Sequence, residues 1–142
     1  MVQSVTKGDM LKDRSAAGAL LSWLRGRAMS FIYAGRGFAL LWLTQPNFRF
    51  HIAAAICAIA LGWLFQISGI EWLVLVVTIT TVLTAEALNT GLEKVIDFCQ
   101  PDIHPLARDA KDLSAAAVLV ASTGALIVGS IIFIPRLLHL FR

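Results

Sequence analysis

Charge is what this sequence has least of. Only 15% of its 142 residues are Asp, Glu, Lys or Arg, against 58% hydrophobic ones, and a mean hydropathy of +0.76 excludes an ordinary soluble domain. The two cysteines, Cys57 and Cys99, fall inside the first apolar run and just beyond the second. That spacing fits no zinc motif and argues against a mutual disulfide. Internal repeats and low-complexity tracts are absent. Gly35-Arg36-Gly37 lacks the strand and the Lys-Ser/Thr that a phosphate loop requires. The net charge of +3 sits mostly at the ends of apolar runs, which suits anionic lipid headgroups and not nucleic acid. In the first 25 residues or so, polar Lys7 to Arg14 precede only a short apolar patch, Ala16 to Leu24, with no small-residue cleavage site. Residues 1–26 therefore read as a cytosolic arm and not as a cleavable signal.

What is present is hydrocarbon in long runs. Leu113 to Ile134 is 22 residues without a charge, which meets the roughly 20 needed to cross about 30 Å of bilayer core. Two shorter runs precede it, Ile52 to Ile67, lengthened by Phe48 and Phe50, and Trp72 to Ala85. The link Gln66 to Glu71 is short enough to require an antiparallel helical hairpin. Residues 27–142 thus read as one membrane-embedded, all-α domain with spans near 48–67, 71–97 and 109–135. Before them, Phe31, Ala34, Phe38, Leu41 and Trp42 recur near helical spacing with Arg27, Ser30 and Arg36 opposite, the pattern of an interfacial amphipathic helix. Thr44-Gln45-Pro46-Asn47 supplies the turn into the first span. Trp42 and Trp72 fall near membrane boundaries, where tryptophan anchors.

Seven of twelve basic residues precede the first span, and Lys94, Arg108 and Lys111 flank the connection between the second and third. The excess of cations places the N-terminus and that connection in the cytoplasm. Arg136 and Arg142 then lie on the wrong side.

The second span is unusual in that it continues into acid. Glu86, Asn89, Glu93 and Asp97 are spaced by three, four and four residues, so they share one helix face. A carboxylate inside a membrane segment is costly, by roughly 3 kcal/mol on insertion scales, and calls for a bundle interior, a cation or a substrate. With a rise of 1.5 Å per residue, Glu86 lies roughly 21 Å into the helix from its Trp72 end, close to the inner headgroup boundary. Glu93 and Asp97 emerge beyond it. Lys111 and Asp112 from the third helix, and Gln45 and Arg49 from the start of the first span, reach the same level. Magnesium prefers one or two carboxylates together with substrate phosphates, and phosphoryl transfer needs positioning, charge neutralisation and a base near the attacking hydroxyl. Each residue also has a bland reading: a protonated acid at Glu86, a solvated face at Glu93 and Asp97, a helix-bridging amide at Asn89, flanking charge at Arg49, Lys111 and Asp112. His51 reads as an interfacial residue, and His104 and His139 lack partners. On the bland reading the chain is a non-catalytic three-helix assembly protein whose polar stripe packs helices.

Three motifs in order, Asn47-Phe48-Arg49-Phe50-His51, Glu86-x-x-Asn89-Thr90-x-x-Glu93-x-x-x-Asp97, and Ala110-Lys111-Asp112-x-Ser114-Ala115-Ala116, resemble the prokaryotic diacylglycerol kinase family, which includes undecaprenol kinases. The likeness runs from about Phe31 to Ile134. It implies a small kinase of the bacterial cell membrane that phosphorylates a lipid alcohol from ATP and magnesium, built from a surface helix and three transmembrane helices. It also implies a homotrimer with sites shared between subunits. Carried over by position, Glu86 is the general base on the lipid hydroxyl, and Glu93 is a metal ligand beside the ATP phosphates. Asn89, Asp97, Lys111, Asp112 and Arg49 line the nucleotide and phosphate region. Where the family commonly has a second metal-binding glutamate this chain has Gln45, whose amide oxygen binds a hard cation more weakly. The first motif looks more like the undecaprenol kinase branch than the diacylglycerol kinase one.

Overall fold

Four helices, α1 (Lys7–Thr44), α2 (Pro46–Leu64), α3 (Gly69–Cys99) and α4 (Pro105–Leu140), make up the computed structural model. It describes the backbone of residues 7–100, 102 and 104–140, and the side chains from Gly18 onward within those ranges. Two compact units divide the chain, residues 1–40 and 41–142.

In the first unit the described residues are all helix: the 38 residues of α1 are continuous, running through Gly35 and Gly37. Ala, Leu, Lys and Arg dominate its first half, and these favour helix without needing an apolar stripe. Its large apolar side chains, Phe31 and Tyr33 among them, are exposed. Arg27 lies over the Trp23 ring at 5.2 Å and Arg36 over Tyr33 at 6.0 Å, pairings of cation and aromatic suited to a headgroup region.

In the second unit the turn expected over Thr44 to Asn47 contracts to one residue. Gln45 is extended, with φ −112° and ψ 105°, because Pro46 bars the helical region to the residue before it. Pro46 then opens α2, where a missing N–H has no consequence. α2 closes with the two hydrogen bonds of a Schellman motif, Ile67 N–H to Gly62 C=O at 3.2 Å and Gln66 N–H to Trp63 C=O at 3.3 Å. Gln66, at φ 49°, occupies the left-handed position that usually takes glycine. Gly62 itself is required by close approach, since a Cβ there would meet the Trp72 ring at 2.7 Å.

α3 begins with a capping box: the Glu71 N–H donates to Ser68 Oγ, and the Ser68 N–H donates to Glu71 Oε2 at 2.8 Å. The same carboxylate oxygen accepts from Arg136 Nη2 at 2.8 Å, and Arg136 Nη1 donates to the Ile132 carbonyl at 2.6 Å. This clasp ties the start of α3 to the end of α4, and both side chains are about 30% exposed or less. Below it lies the core of Ile67, Leu75, Ile132 and Phe133. Hydrogen bonds between ionised partners are shorter and stronger than those between neutral groups. Arg136→Ala is therefore expected to lower the thermal unfolding midpoint in detergent. Glu71→Ala is expected to lower it further, because it removes the cap as well.

Three helices are long and apolar enough to cross a membrane, α2, α3 and α4. At 31 and 36 residues α3 and α4 measure about 46 and 54 Å, so both project beyond a hydrocarbon core of about 30 Å. α3 packs mainly on α4 and less on α2. Ala115, Ala116 and Ala117 are exposed. The buried and half-buried positions of α4 include Ser114, Val118, Ala121, Ser122, Ala125, Gly129 and Phe133, a repeat of three and four residues that the consecutive alanines cannot follow. The first turn of α4 holds no acid; the His104 imidazole accepts the Leu106 N–H there, at 3.2 Å. Cys57 and Cys99 are free thiols.

Candidate active site

The acidic face of α3 meets α4 as a chain of polar contacts. Asn89 Nδ2 donates to Glu93 Oε1 at 3.2 Å, and Asn89 Oδ1 lies 2.6 Å from the Ser114 hydroxyl of α4. That hydroxyl is also 2.8 Å from the Lys111 carbonyl. One turn further out, Lys111 Nζ pairs with Asp97. Asn89 is thus fixed at both ends, and it presents Glu93 with one carboxylate oxygen engaged and the other open. Lys111 is held by Asp97 at the height where phosphates would arrive.

Glu86 sits one turn deeper and is only 2% exposed, one of the two most buried large side chains described. Phe48 of α2 is the other, also 2% exposed. Thr90, 3% exposed, has a hydroxyl without a hydrogen-bond partner among the described residues.

Two cavities flank this column. A groove of about 520 Å³ lies between α2, α3 and α4; its wall is almost wholly aliphatic and aromatic, from Phe133 and Leu75 up to Val82, Leu83 and His51. A smaller polar cleft of about 280 Å³ is lined by Asp97, Lys111 and Asp112, with His104, Arg108, Asp102 and Gln100. The Arg108–Asp112 pair, at 3.7 Å, is more than 70% exposed on both sides and adds little to stability.

The structure therefore gathers Asn89, Glu93, Asp97 and Lys111 through direct bonds, with Asp112 in the cleft beside the last two. Arg49 is exposed and forms no ion pair among the described residues, and Gln45 is half-buried at the α2 N-cap with no side-chain capping bond. Among the described residues no three His, Cys, Asp or Glu side chains converge as a closed metal cage. The Glu93 oxygen not bonded to Asn89 is a carboxylate oxygen of the kind that magnesium takes together with waters and substrate phosphates. Sequence reasoning missed the place of His51 on the packed face of α2 and the Glu71–Arg136 clasp. Both had a signal. His51 lies on the packed face of α2 at helical spacing from Phe48 and Ala55, and Glu71 and Arg136 are opposite charges at the same end of two neighbouring spans.

The second unit thus combines an apolar groove, a polar cleft and a buried carboxylate on α3. The sequence profile of prokaryotic diacylglycerol kinase matches residues 32–133, and the chain belongs to that family. Over 108 residues it is 41% identical to the undecaprenol kinase of Bacillus subtilis, covering 76% of this chain and 88% of the relative. It is 40% identical over 113 residues to the diacylglycerol kinase of Synechocystis, covering 79% of this chain and 65% of that longer relative. The diacylglycerol kinase of Escherichia coli K12 is 29% identical over 100 residues, 70% of this chain and 82% of the relative. The chain is a lipid kinase, a multi-pass membrane protein of an ATP-dependent family. A packing stripe without catalysis is set aside by that membership.

Proposed function

We propose that this kinase phosphorylates the hydroxyl of undecaprenol at the cytosolic face of a bacterial cell membrane. The observation that carries the reading is the burial of Glu86 between the apolar groove and the Asn89–Glu93 pair. The acceptor's hydrocarbon occupies the groove, which brings its hydroxyl to Glu86. Glu86 takes the hydroxyl proton as the lipid oxygen bonds to the γ-phosphorus and the bond from that phosphorus to ADP breaks. Lys111, steadied by Asp97, offsets charge on the phosphates, and Asn89, Asp112 and Arg49 complete the nucleotide region. Glu93 and Gln45 would hold magnesium, which when bound neutralises phosphate charge and aligns the transfer.

Orientation follows from charge. Arg136 is neutralised by Glu71, so its weight as a cation on the outer side falls away and the cytosolic excess of Lys and Arg decides. Residues 1–26 are then a cytosolic arm and residues 27–142 the kinase domain, its unpaired apolar exterior shared between lipid and two further copies in a homotrimer. Undecaprenol is favoured over diacylglycerol by Asn47-Phe48-Arg49-Phe50-His51 and by the 41% identical relative. Transfer of labelled phosphate from ATP to a panel of undecaprenol, diacylglycerol and ceramide in mixed micelles, with and without magnesium, tests it. Preferential labelling of undecaprenol, only with magnesium, is expected; preference for diacylglycerol overturns the acceptor, and no labelling of any lipid overturns the mechanism.

Gln45 allows a graded test. Restoring a carboxylate with Gln45→Glu is expected to lower the magnesium concentration for half-maximal rate by about tenfold or more, since even outer-shell partners of a metal control 10–100-fold in affinity. An unchanged requirement removes Gln45 from the metal site.

A further inference from the structure

Glycine is a poor helix former, and in a membrane span its usual use is to let a neighbouring helix approach closely. Gly62 meets that description, with the Trp72 ring in the way of any Cβ. Gly129 of α4 does not. A Cβ there meets no atom of a neighbouring side chain or helix within 4 Å, yet the position is half-buried and lines the membrane groove of about 520 Å³. The room left by its missing side chain is groove space.

The groove also leads toward the reacting end. The buried residues of α3, Leu75, Val82, Glu86 and Thr90, follow one helix face. Leu75 and Val82 stand in the groove wall, and Glu86 is one turn beyond Val82. Asn89 bonds Ser114 across antiparallel α3 and α4, which puts Gly129 roughly 18 Å along α4 from the level of Glu86. A long hydrocarbon chain whose hydroxyl is at Glu86 must pass Gly129, whereas ATP, taken up at the other end of α3, never meets it.

We propose that Gly129 is a specificity-determining residue: having no side chain, it keeps the groove wide enough, deep in the membrane, for the hydrocarbon of a long-chain lipid alcohol. The inference rests on the groove being the seat of the acceptor.

In the full-length enzyme in mixed micelles, Gly129→Leu is expected to raise KM for undecaprenol about tenfold or more, the scale on which an apolar pocket responds to one surplus methylene. Its kcat and its KM for ATP should stay as they were, and Gly129→Ala should fall between. The thermal unfolding midpoint should not drop, because the new Cβ has open space and leucine favours helix over glycine. Geraniol, whose chain is too short to reach Gly129 from Glu86, should be phosphorylated equally by Gly129→Leu and the unaltered enzyme. Gly124→Leu is the control, since Gly124 is exposed on the same helix, has equally open surroundings and does not line the groove.

An unchanged KM for undecaprenol in Gly129→Leu, an equal penalty on geraniol, or the same rise in Gly124→Leu overturns the role of Gly129. So does a fall in particle mass of Gly129→Leu by light scattering, which would make the groove the seat of a second copy's helix. Labelling of diacylglycerol alone by the unaltered enzyme overturns the acceptor, and the same series measured with that lipid then decides on Gly129. No labelling of any lipid overturns the mechanism, and the proposal with it.

Discussion

Glu86→Gln is expected to abolish turnover while leaving ATP bound nearly as before. Glutamine preserves the shape and an acceptor oxygen at a site that is 2% exposed, so the helix packing around Phe48 and Thr90 survives. What is lost is a group able to take a proton. A positioned general base contributes about 10²–10⁴-fold to rate, and kcat is expected to fall by that factor. In the proposed site the ATP phosphates would meet Glu93, Asp97 and Lys111, the two acids about two and three turns along α3, and none of the hydrogen bonds and ion pairs of these residues passes through Glu86. Steady-state kinetics with undecaprenol, paired with equilibrium binding of a nucleotide analogue, separates the two effects. Equal loss of turnover and nucleotide affinity would show that Glu86 supports the fold of the site and does not act on the acceptor.

How much of this could be read before the coordinates depends on which forces act locally. The three spans were legible because twenty apolar residues in a row have one stable environment, and the acidic face of α3 because 3.6-residue periodicity converts spacing directly into a shared side. The Arg108–Asp112 pair is local in the same sense. Contacts between helices were not legible. Ser114 bonding Asn89 spans 25 residues and Arg136 bonding Glu71 spans 65, and no pattern along one helix specifies its rotation against another. On α4, Ser114 points inward but Ala115 to Ala117 do not, since the helix turns by about 100° per residue. The first half of α1 carries helix propensity without amphipathic spacing, which gives a weak signal. The same Arg136 that stood out as an orientation anomaly is explained by its partner.

Glu93 should prove the second indispensable carboxylate, but for a different reason and with a different signature. Its Oε1 is engaged by Asn89 at 3.2 Å, and an amide at this position keeps an oxygen to accept that bond, so Glu93→Gln leaves the Asn89–Ser114 link between α3 and α4 in place. The change removes one negative charge from the site where magnesium and the β- and γ-phosphates would meet. With Gln45 already neutral, no carboxylate would then remain in the proposed ligand pair, and magnesium binds through hard, charged oxygens together with phosphates. A loss of about 10²-fold or more in kcat/KM for magnesium ATP is therefore expected, larger than the 10–100-fold that outer-shell partners of a metal control. Part of it should return at high magnesium or in the double variant Gln45→Glu, Glu93→Gln, which restores one charge across the site. Glu86→Gln should show no such rescue, because no concentration of metal replaces a proton acceptor. A magnesium titration of the rate in the three variants and the unaltered enzyme distinguishes the roles: coincident half-maximal concentrations for Glu93→Gln and the unaltered enzyme would assign Glu93 to helix packing through Asn89 and leave the metal to other ligands.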